Sequence, residues 1–369
     1  MSRSLQLILL ALAALVMIAI LAVGGLLIIS NGHPIDYLQT SLIRFTLASR
    51  ERELAQTVST DTSPVRFEVN SGDTPRTIAR NLADARLIND ADLFVDYVRG
   101  YDLDTQLEAG TFFLTQAQSI PEIAASLTDS SSSQFVFRIL EGWRMEEIAA
   151  QIDQSPYFGF SGQDFLNAVG PNADIPAAFA QFVGLPQGAS LEGFLFPDTY
   201  QLPANLTTDY LREVLLTNFE TRARAANLPE LAASQGFTIR DAVTLGSIIQ
   251  RESVHTDEQP MISSVYRNRL NIGMKLDADP TVQYGIGFRG GAWWPQITQA
   301  DYTSAISTYN TYLNYGLPPG PIANPGITAI LAAVQPEESD FLYFQARCTG
   351  DGYHNFARTF DEHLANSCF

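Results

Sequence analysis

Residues 5–29 constrain everything that follows them. These 25 residues hold one polar side chain, Gln6, and no charge. As a helix the run would rise about 37 Å, more than the roughly 30 Å hydrocarbon core of a bilayer. A cleavable leader has a shorter apolar stretch ending at a small-residue cleavage site, whereas this one continues through Gly24 and Gly25 to Ile29. The spacing predicts an uncleaved, single-pass transmembrane helix, with residues 1–30 forming a cytoplasmic tip and the anchor. Arg3 precedes the span and Asp36 follows it, which orients the amino terminus inward. The expected localisation is the plasma membrane, with the bulk of the chain extracytoplasmic.

Charge narrows what that outer portion can do. The formal net charge is −18, and Arg3 is the only charged side chain before residue 31, so the remainder carries −19. Such acidity argues against nucleic acid as a partner and against a domain lying flat on anionic lipid. Cys348 and Cys368 are the only cysteines, a pair that an oxidising exterior would allow to join, but too few for a disulfide scaffold or a zinc site. The four histidines, 33, 255, 354 and 363, have no metal-ligand spacing. No metal and no cofactor are expected.

Beyond the anchor, Ile35, Leu38, Leu42 and Phe45 fall at near-helical spacing and predict a short stalk. Residues 57–64 have the composition of a flexible linker, which makes 31–64 stalk and linker, and residues 128–134 form a second polar joint. On either side of that joint lies a repeat. Phe67-Glu-Val-Asn-Ser-Gly72 is followed by Ile78, Ala79 and Leu82; 70 residues later, Phe137-Arg-Ile-Leu-Glu-Gly142 is followed by Ile148, Ala149 and Ile152. Each copy predicts a strand, a glycine turn and an amphipathic helix, with return strands at 110–114 and 193–196. The first copy, with Phe67-x-Val-x-x-Gly-Asp-Thr74, resembles a LysM module, which implies binding to N-acetylglucosamine-containing glycans. In the second copy Glu141-Gly-Trp143 departs from that pattern and leaves glycan binding in doubt. The modules are expected at 65–128 (LysM-like) and 135–235 (a second LysM-like or scaffold module).

The chemistry concentrates after Thr238. Thr238-x-x-Asp241 has the form of a capping box, and Ile239, Ala242, Val243, Leu245, Gly246 and Ile249 trace one apolar helix face. Glu252 lies three residues after Ile249, four after Ile248 and seven after Leu245, so it projects from the apolar side near the helix C-terminus. Desolvation and the negative helix end both favour a neutral carboxyl there, as a general acid requires. A boundary glutamate paired with Arg251 or Arg267 would satisfy the same pattern.

Several strings in this region occur in a distinctive order. They are Glu192-Gly-Phe-Leu-Phe-Pro-Asp-Thr-Tyr200, Ser247-Ile-Ile-Gln-Arg-Glu-Ser253, Val265-Tyr-Arg-Asn-Arg-Leu270, Gly273-Met-Lys-Leu-Asp-Ala-Asp-Pro-Thr-Val-Gln-Tyr-Gly285, Tyr309-Asn-Thr-Tyr312, Gly316-Leu-Pro-Pro-Gly-Pro-Ile322 and Asn324-Pro-Gly326. Together they closely resemble the MltG/YceG family of endolytic murein transglycosylases, from about residue 67 to residue 363. The resemblance implies cleavage of the β-1,4 bond between N-acetylmuramic acid and N-acetylglucosamine within peptidoglycan strands, with 1,6-anhydro ring formation and termination of nascent strands. It places the catalytic acid on Glu252. Family members carry an acidic residue two positions earlier, where this chain has Gln250, leaving Glu252 as the sole acid of the motif. Tyr309, Asn310 and Tyr312, in a polar aromatic loop, and Asp279 are expected to bind substrate. Asp277 and Asp279 would serve a hydrolase, which needs a second carboxyl group, and His354 and His363 are site candidates by analogy only.

The expected architecture is α+β: a single N-terminal transmembrane helix, tandem LysM-like modules and, at 236–369, a mainly helical catalytic domain. A small C-terminal sheet would join residues 341–344 to the segment near His354. Partners would be peptidoglycan glycan strands and the membrane, with peptidoglycan synthases as candidate protein partners. A muramidase-type hydrolase and a non-catalytic membrane-anchored peptidoglycan-binding protein are the alternative readings.

Overall fold

The computed structural model describes the backbone at residues 3–30, 33–129 and 133–368, and side chains at the same positions except 3–11, 13 and 36. The chain divides into two compact units, residues 1–134 and 135–369. Residues 130–132 of the polar joint lie outside the described residues.

In the first unit, α1 (Arg3–Ile29) is one continuous helix. Among the described residues no helix is long and apolar enough to cross a membrane. Helix α2 (Pro34–Ser49) starts afresh at a proline. Its stripe of Ile35, Leu38, Leu42 and Phe45 is exposed, and the helix docks by its other face, where Leu47 is buried and Ile43 packs on the core. Gly100 permits this approach, because a Cβ there would meet Leu47 Cδ1 at 2.8 Å. A short helix α3 (Glu51–Leu54) follows. Residues 57–64, linker-like in composition, are held to a neighbouring turn: Ser59 N–H donates to the Gln116 carbonyl at 3.1 Å and Ala117 N–H to that of Asp61, also at 3.1 Å.

Strands β1 (Val65–Val69) and β2 (Gly110–Leu114) pair antiparallel with Phe67 opposite Phe112, both inward. Between them lie α4 (Pro75–Asp84) and α5 (Ala91–Gly100), and α6 (Ile120–Leu127) follows. Each helix starts where the sequence supplies a cap. Thr74 Oγ1 accepts from Thr77 N–H, Asp90 from Leu93 N–H, and Ser119 with Glu122 forms a capping box. Ile78, Ala79 and Leu82 are buried, as the repeat predicts.

The second unit opens with the second copy: β3 (Gln134–Arg138), a turn at Gly142 with φ +79°, and α7 (Met145–Gln154) with Ile148, Ala149 and Ile152 buried. Helices α8 (Gly162–Val169) and α9 (Ala177–Val183) come next. The return strand expected at 193–196 is instead a turn; the strand that pairs with β3 is β4 (Thr199–Pro203). The reason is local: Gly193 sits at φ +91°, and the Gly193 and Leu195 amides donate to Asn324 Oδ1 at 2.9 and 3.0 Å, so they are spent before any ladder forms.

Helices α10 (Thr208–Ala225) and α11 (Leu228–Ser234) lead into α12 (Ile239–Glu252), opened by the Thr238–Asp241 capping box. Helix α12 packs against α16 (Ile327–Val334), where Gly246 brings the backbones together: its Cβ would lie 3.0 Å from Ile330 Cα. A single 3-10 turn (Thr256–Glu258) precedes α13 (Gln259–Asn271), and α14 (Asp279–Ile286) and the short α15 (Asp301–Ser304) complete the core's surroundings. Leu245, Ile248, Ile249, Ile262, Tyr266 and Ala329 form one buried cluster. At the end, β5 (Tyr343–Ala346) and β6 (His354–Ala357) make an antiparallel hairpin, two residues later at its start than the pattern suggests, before α17 (Phe360–Ala365). A disulfide joins Cys348 to Cys368, with Cα atoms 5.5 Å apart.

Candidate active site

The C-terminal end of α12 opens into a cleft of about 530 Å³. Glu252 lies on its wall with Tyr266 and Arg269 from α13, Asp277 and Asp279 around the start of α14, Tyr302 from α15, Tyr312, and Tyr343 from β5. The apolar periodicity of α12 is what turns Glu252 inward, and the same arithmetic on α13 brings Tyr266 beneath it.

Tyr266 hydroxyl donates to Glu252 Oε1 at 2.7 Å. Burial pushes the Glu252 carboxyl up to about 7; the Tyr266 hydrogen bond opposes this, the negative charge of Asp279 adds to it, and Arg269 and Arg251 oppose it. Tyr266 is itself driven well above its ordinary value, first by burial and then by Glu252, so it remains a hydroxyl and a donor. Near neutral pH the acid and carboxylate forms of Glu252 are thus comparably populated.

The other two cleft acids are engaged. Asp279 accepts from the hydroxyls of Tyr312 at 2.8 Å and Tyr302 at 3.4 Å, one on each oxygen. Asp277 has a left-handed backbone, φ +46°, and lies 3.9 Å from the Arg269 guanidinium; burial raises its carboxyl. Arg269 is fixed by donating to the Leu276 and Leu342 carbonyls, each at 2.6 Å.

Of the four residues expected to bind substrate, Asp279 and Tyr312 line the cleft together. Asn310 is fully buried, its amide donating to the Tyr302 and Ala305 carbonyls and its oxygen accepting from Tyr312 N–H, so it shapes the loop carrying Tyr312. Tyr309 faces a separate depression beside Arg240 and Pro319, its ring 4.7 Å from Tyr284. His354 and His363 both reach the cleft, and His354 Nδ1 lies 2.9 Å from Glu258. Gln250 Oε1 accepts from Gly326 N–H at 3.0 Å, which ties α12 to the start of α16. Tyr266 and Arg269 lie in the Val265–Leu270 string and Tyr343 in the expected C-terminal strand, yet nothing in the sequence assigned them or Tyr302 to a cleft; the packing of α13, α15 and β5 brings them in. Among the described residues no group of acids, histidines and cysteines could hold a metal ion.

If Glu252 must be protonated for a first step, activity falls as pH rises through about 7. The neighbours then predict two opposite shifts. Asp279→Asn removes a charge that raises the carboxyl and should move that alkaline limb to lower pH. Tyr266→Phe removes the donor that holds the anion and should move it higher. Limbs that stay put in both pH–rate profiles would exclude Glu252 as the titrating group.

The profile of the YceG-like family matches residues 67–368. The endolytic murein transglycosylase of Bacillus subtilis is 29% identical over 325 residues, covering 85% of this chain and 86% of that protein. That of Streptococcus pneumoniae is 27% identical over 316 residues, covering 81% of this chain but 57% of that protein, so the chain spans little more than half its length. The crystal structure of a YceG-like protein from Listeria monocytogenes has a TM-score of 0.56 at 29% identity, covering 83% of this chain and 100% of that one. With its profile matched from the first repeat to the last helix, the chain belongs to the YceG-like family.

Proposed function

We propose that this chain is an endolytic peptidoglycan transglycosylase that cuts the N-acetylmuramic acid–β-1,4–N-acetylglucosamine bond within glycan strands. The carrying observation is a single carboxyl, Glu252, raised to about 7 in a cleft whose other acids are already hydrogen-bonded or beside a guanidinium. Protonated Glu252 gives its proton to the glycosidic oxygen as the bond to the anomeric carbon breaks. The resulting carboxylate takes the proton of the muramic acid 6-hydroxyl, whose oxygen closes on the anomeric carbon. No water is consumed, Glu252 ends protonated, and the product carries a 1,6-anhydro ring. Tyr266 stabilises the carboxylate between the two proton transfers. Asp279 lies where its negative charge favours a positive anomeric centre, and Tyr302 and Tyr312 hold it there. A hydrolase would need a carboxylate free to activate water or attack carbon.

The same reading gives residues 1–30 the role of a single-pass anchor with the catalytic unit outside the plasma membrane. The uncharged run of residues 5–29 and the Cys348–Cys368 bond support it. The first repeat would grip glycan in the manner of a LysM module, and cleavage beside the membrane would end nascent strands, with peptidoglycan synthases as neighbours. Incubating the purified protein with uncrosslinked glycan strands tests the chemistry. The expected products, identified by mass, are internal fragments with anhydromuramic ends; reducing ends alone would instead favour the hydrolase and promote Asp277 or Asp279.

A further inference from the structure

After α14 the chain makes a small hairpin that the cleft chemistry does not use. Arg289 and Ala292 exchange both backbone hydrogen bonds, at 3.0 and 3.3 Å, around Gly290 and Gly291. Both glycines have positive φ, +64° and +84°, as a tight two-residue type I′ turn requires. The next pair outward, Phe288 and Trp293, is a non-hydrogen-bonded pair, in which side chains stand closest on one face. Their ring centroids are 5.0 Å apart, and Phe288 is 58% exposed. Phe288 thus does not act as core.

The hairpin is braced by side chains from α7, α12 and α15. Arg289 pairs with Asp301 at 2.8 Å, and Asp301 also accepts from Thr298 N–H at 2.7 Å. The Arg144 guanidinium lies 5.0 Å from the Trp293 ring centre. Trp294 donates to Glu147 at 2.9 Å and carries the Arg251 guanidinium 4.0 Å over its ring. These braces also connect it to the cleft: Arg251 precedes Glu252, Asp301 precedes Tyr302, and α14, roughly 12 Å long, begins at Asp279.

We propose that Phe288 and Trp293 form an outlying glycan subsite, a platform on which the apolar C–H face of a sugar ring rests when the strand extends beyond the cleft. A braced turn that holds Phe288 out toward solvent against a half-buried Trp293, tied to the helices bearing Glu252 and Asp279, suits a polymer that must pass through the cleft and continue. This deepens the transglycosylase reading and rests on it for the identity of the strand. The platform makes the site prefer long strands without touching the bond being broken.

The test uses the full-length protein in detergent carrying Glu252→Gln, so that binding is measured without turnover. Its equilibrium affinity is compared for long peptide-free glycan strands and for short fragments that fill only the cleft. Adding Phe288→Ala should weaken binding of long strands about tenfold through lost apolar contact, leave the short fragments unchanged, and be reversed by Phe288→Tyr. Equal affinity of the two proteins for long strands, or an equal loss on short fragments, would overturn the platform. Cleavage by the wild-type chain is assayed in parallel. If it cuts nothing, the catalytic reading fails, while the binding comparison still decides for or against Phe288.

Discussion

Replacing Glu252 with glutamine is expected to slow strand cleavage by at least about 100-fold, the lower range for a lost general acid–base. Glutamine keeps the shape, and its carbonyl oxygen can still accept from the Tyr266 hydroxyl, now 2.7 Å from the carboxylate. It cannot deliver a proton to the leaving oxygen or take one from the 6-hydroxyl. Stability should move the other way. The folded carboxyl binds its proton up to about 7, against an ordinary glutamate value of 4.5, so the folded state holds more protons between those limits. Folded stability therefore declines as pH rises through that window, and above it the whole cost of the buried anion is present. Glutamine does not titrate. Allowing for screening at a partly open site, the variant should gain about 2 kcal/mol over the parent above pH ~8 and nothing below pH ~4. Chemical denaturation at the two pH values reads this directly; a difference independent of pH would contradict the assignment, as would near-normal turnover.

Asn324→Ala should cost about 4 kcal/mol, because its side chain makes four hydrogen bonds at a buried site, two of them to backbone N–H groups. Asn324 is fully buried. Its oxygen accepts from Gly193 and Leu195, and its amide donates to the Trp143 carbonyl and to Glu192 Oε1, each at 3.0 Å. Alanine would strand the two N–H groups, and would take one donor each from the Trp143 carbonyl, which keeps the backbone N–H of residue 324, and from the Glu192 carboxyl, which keeps that of Met145. Glu192 adds to the sensitivity: burial, then the negative charge of Glu146, raises its carboxyl well above the ordinary range, and it accepts from Met145 N–H and the Asn324 amide. A denaturant midpoint close to that of the parent would show that Asn324 is dispensable.

What could be read from sequence was local and periodic. The inward turn of Glu252 follows from 3.6-residue spacing along α12, and that helix begins at its capping box. The repeated strand, glycine and helix are likewise short-range patterns. What escaped was decided by distant partners. Residues 193–196 alternate like a strand, yet Asn324, some 130 residues later, claims their amides. The stripe at Ile35, Leu38, Leu42 and Phe45 has correct helical spacing, but Leu47, Ile43 and the gap at Gly100 determine which face is covered. Tyr266 is fourteen residues from Glu252 on another helix, and Asn310 looks as much like a sugar ligand as like the loop staple its hydrogen bonds make it. Side-chain type announced chemistry in the cleft without announcing which polar group would face inward.

The two copies of the repeat have unequal freedom to change. In the second, Gly142 and Trp143 bridge to Asn324, and Gly326 just beyond is held by Gln250, two residues before Glu252. A substitution in that turn is transmitted to the helix bearing the acid. The matching turn of the first copy, at Gly72, has open space around it and belongs to a separate compact unit. The first turn can therefore change its surface without touching the catalytic helix, while a change in the second bears on the helix that carries Glu252.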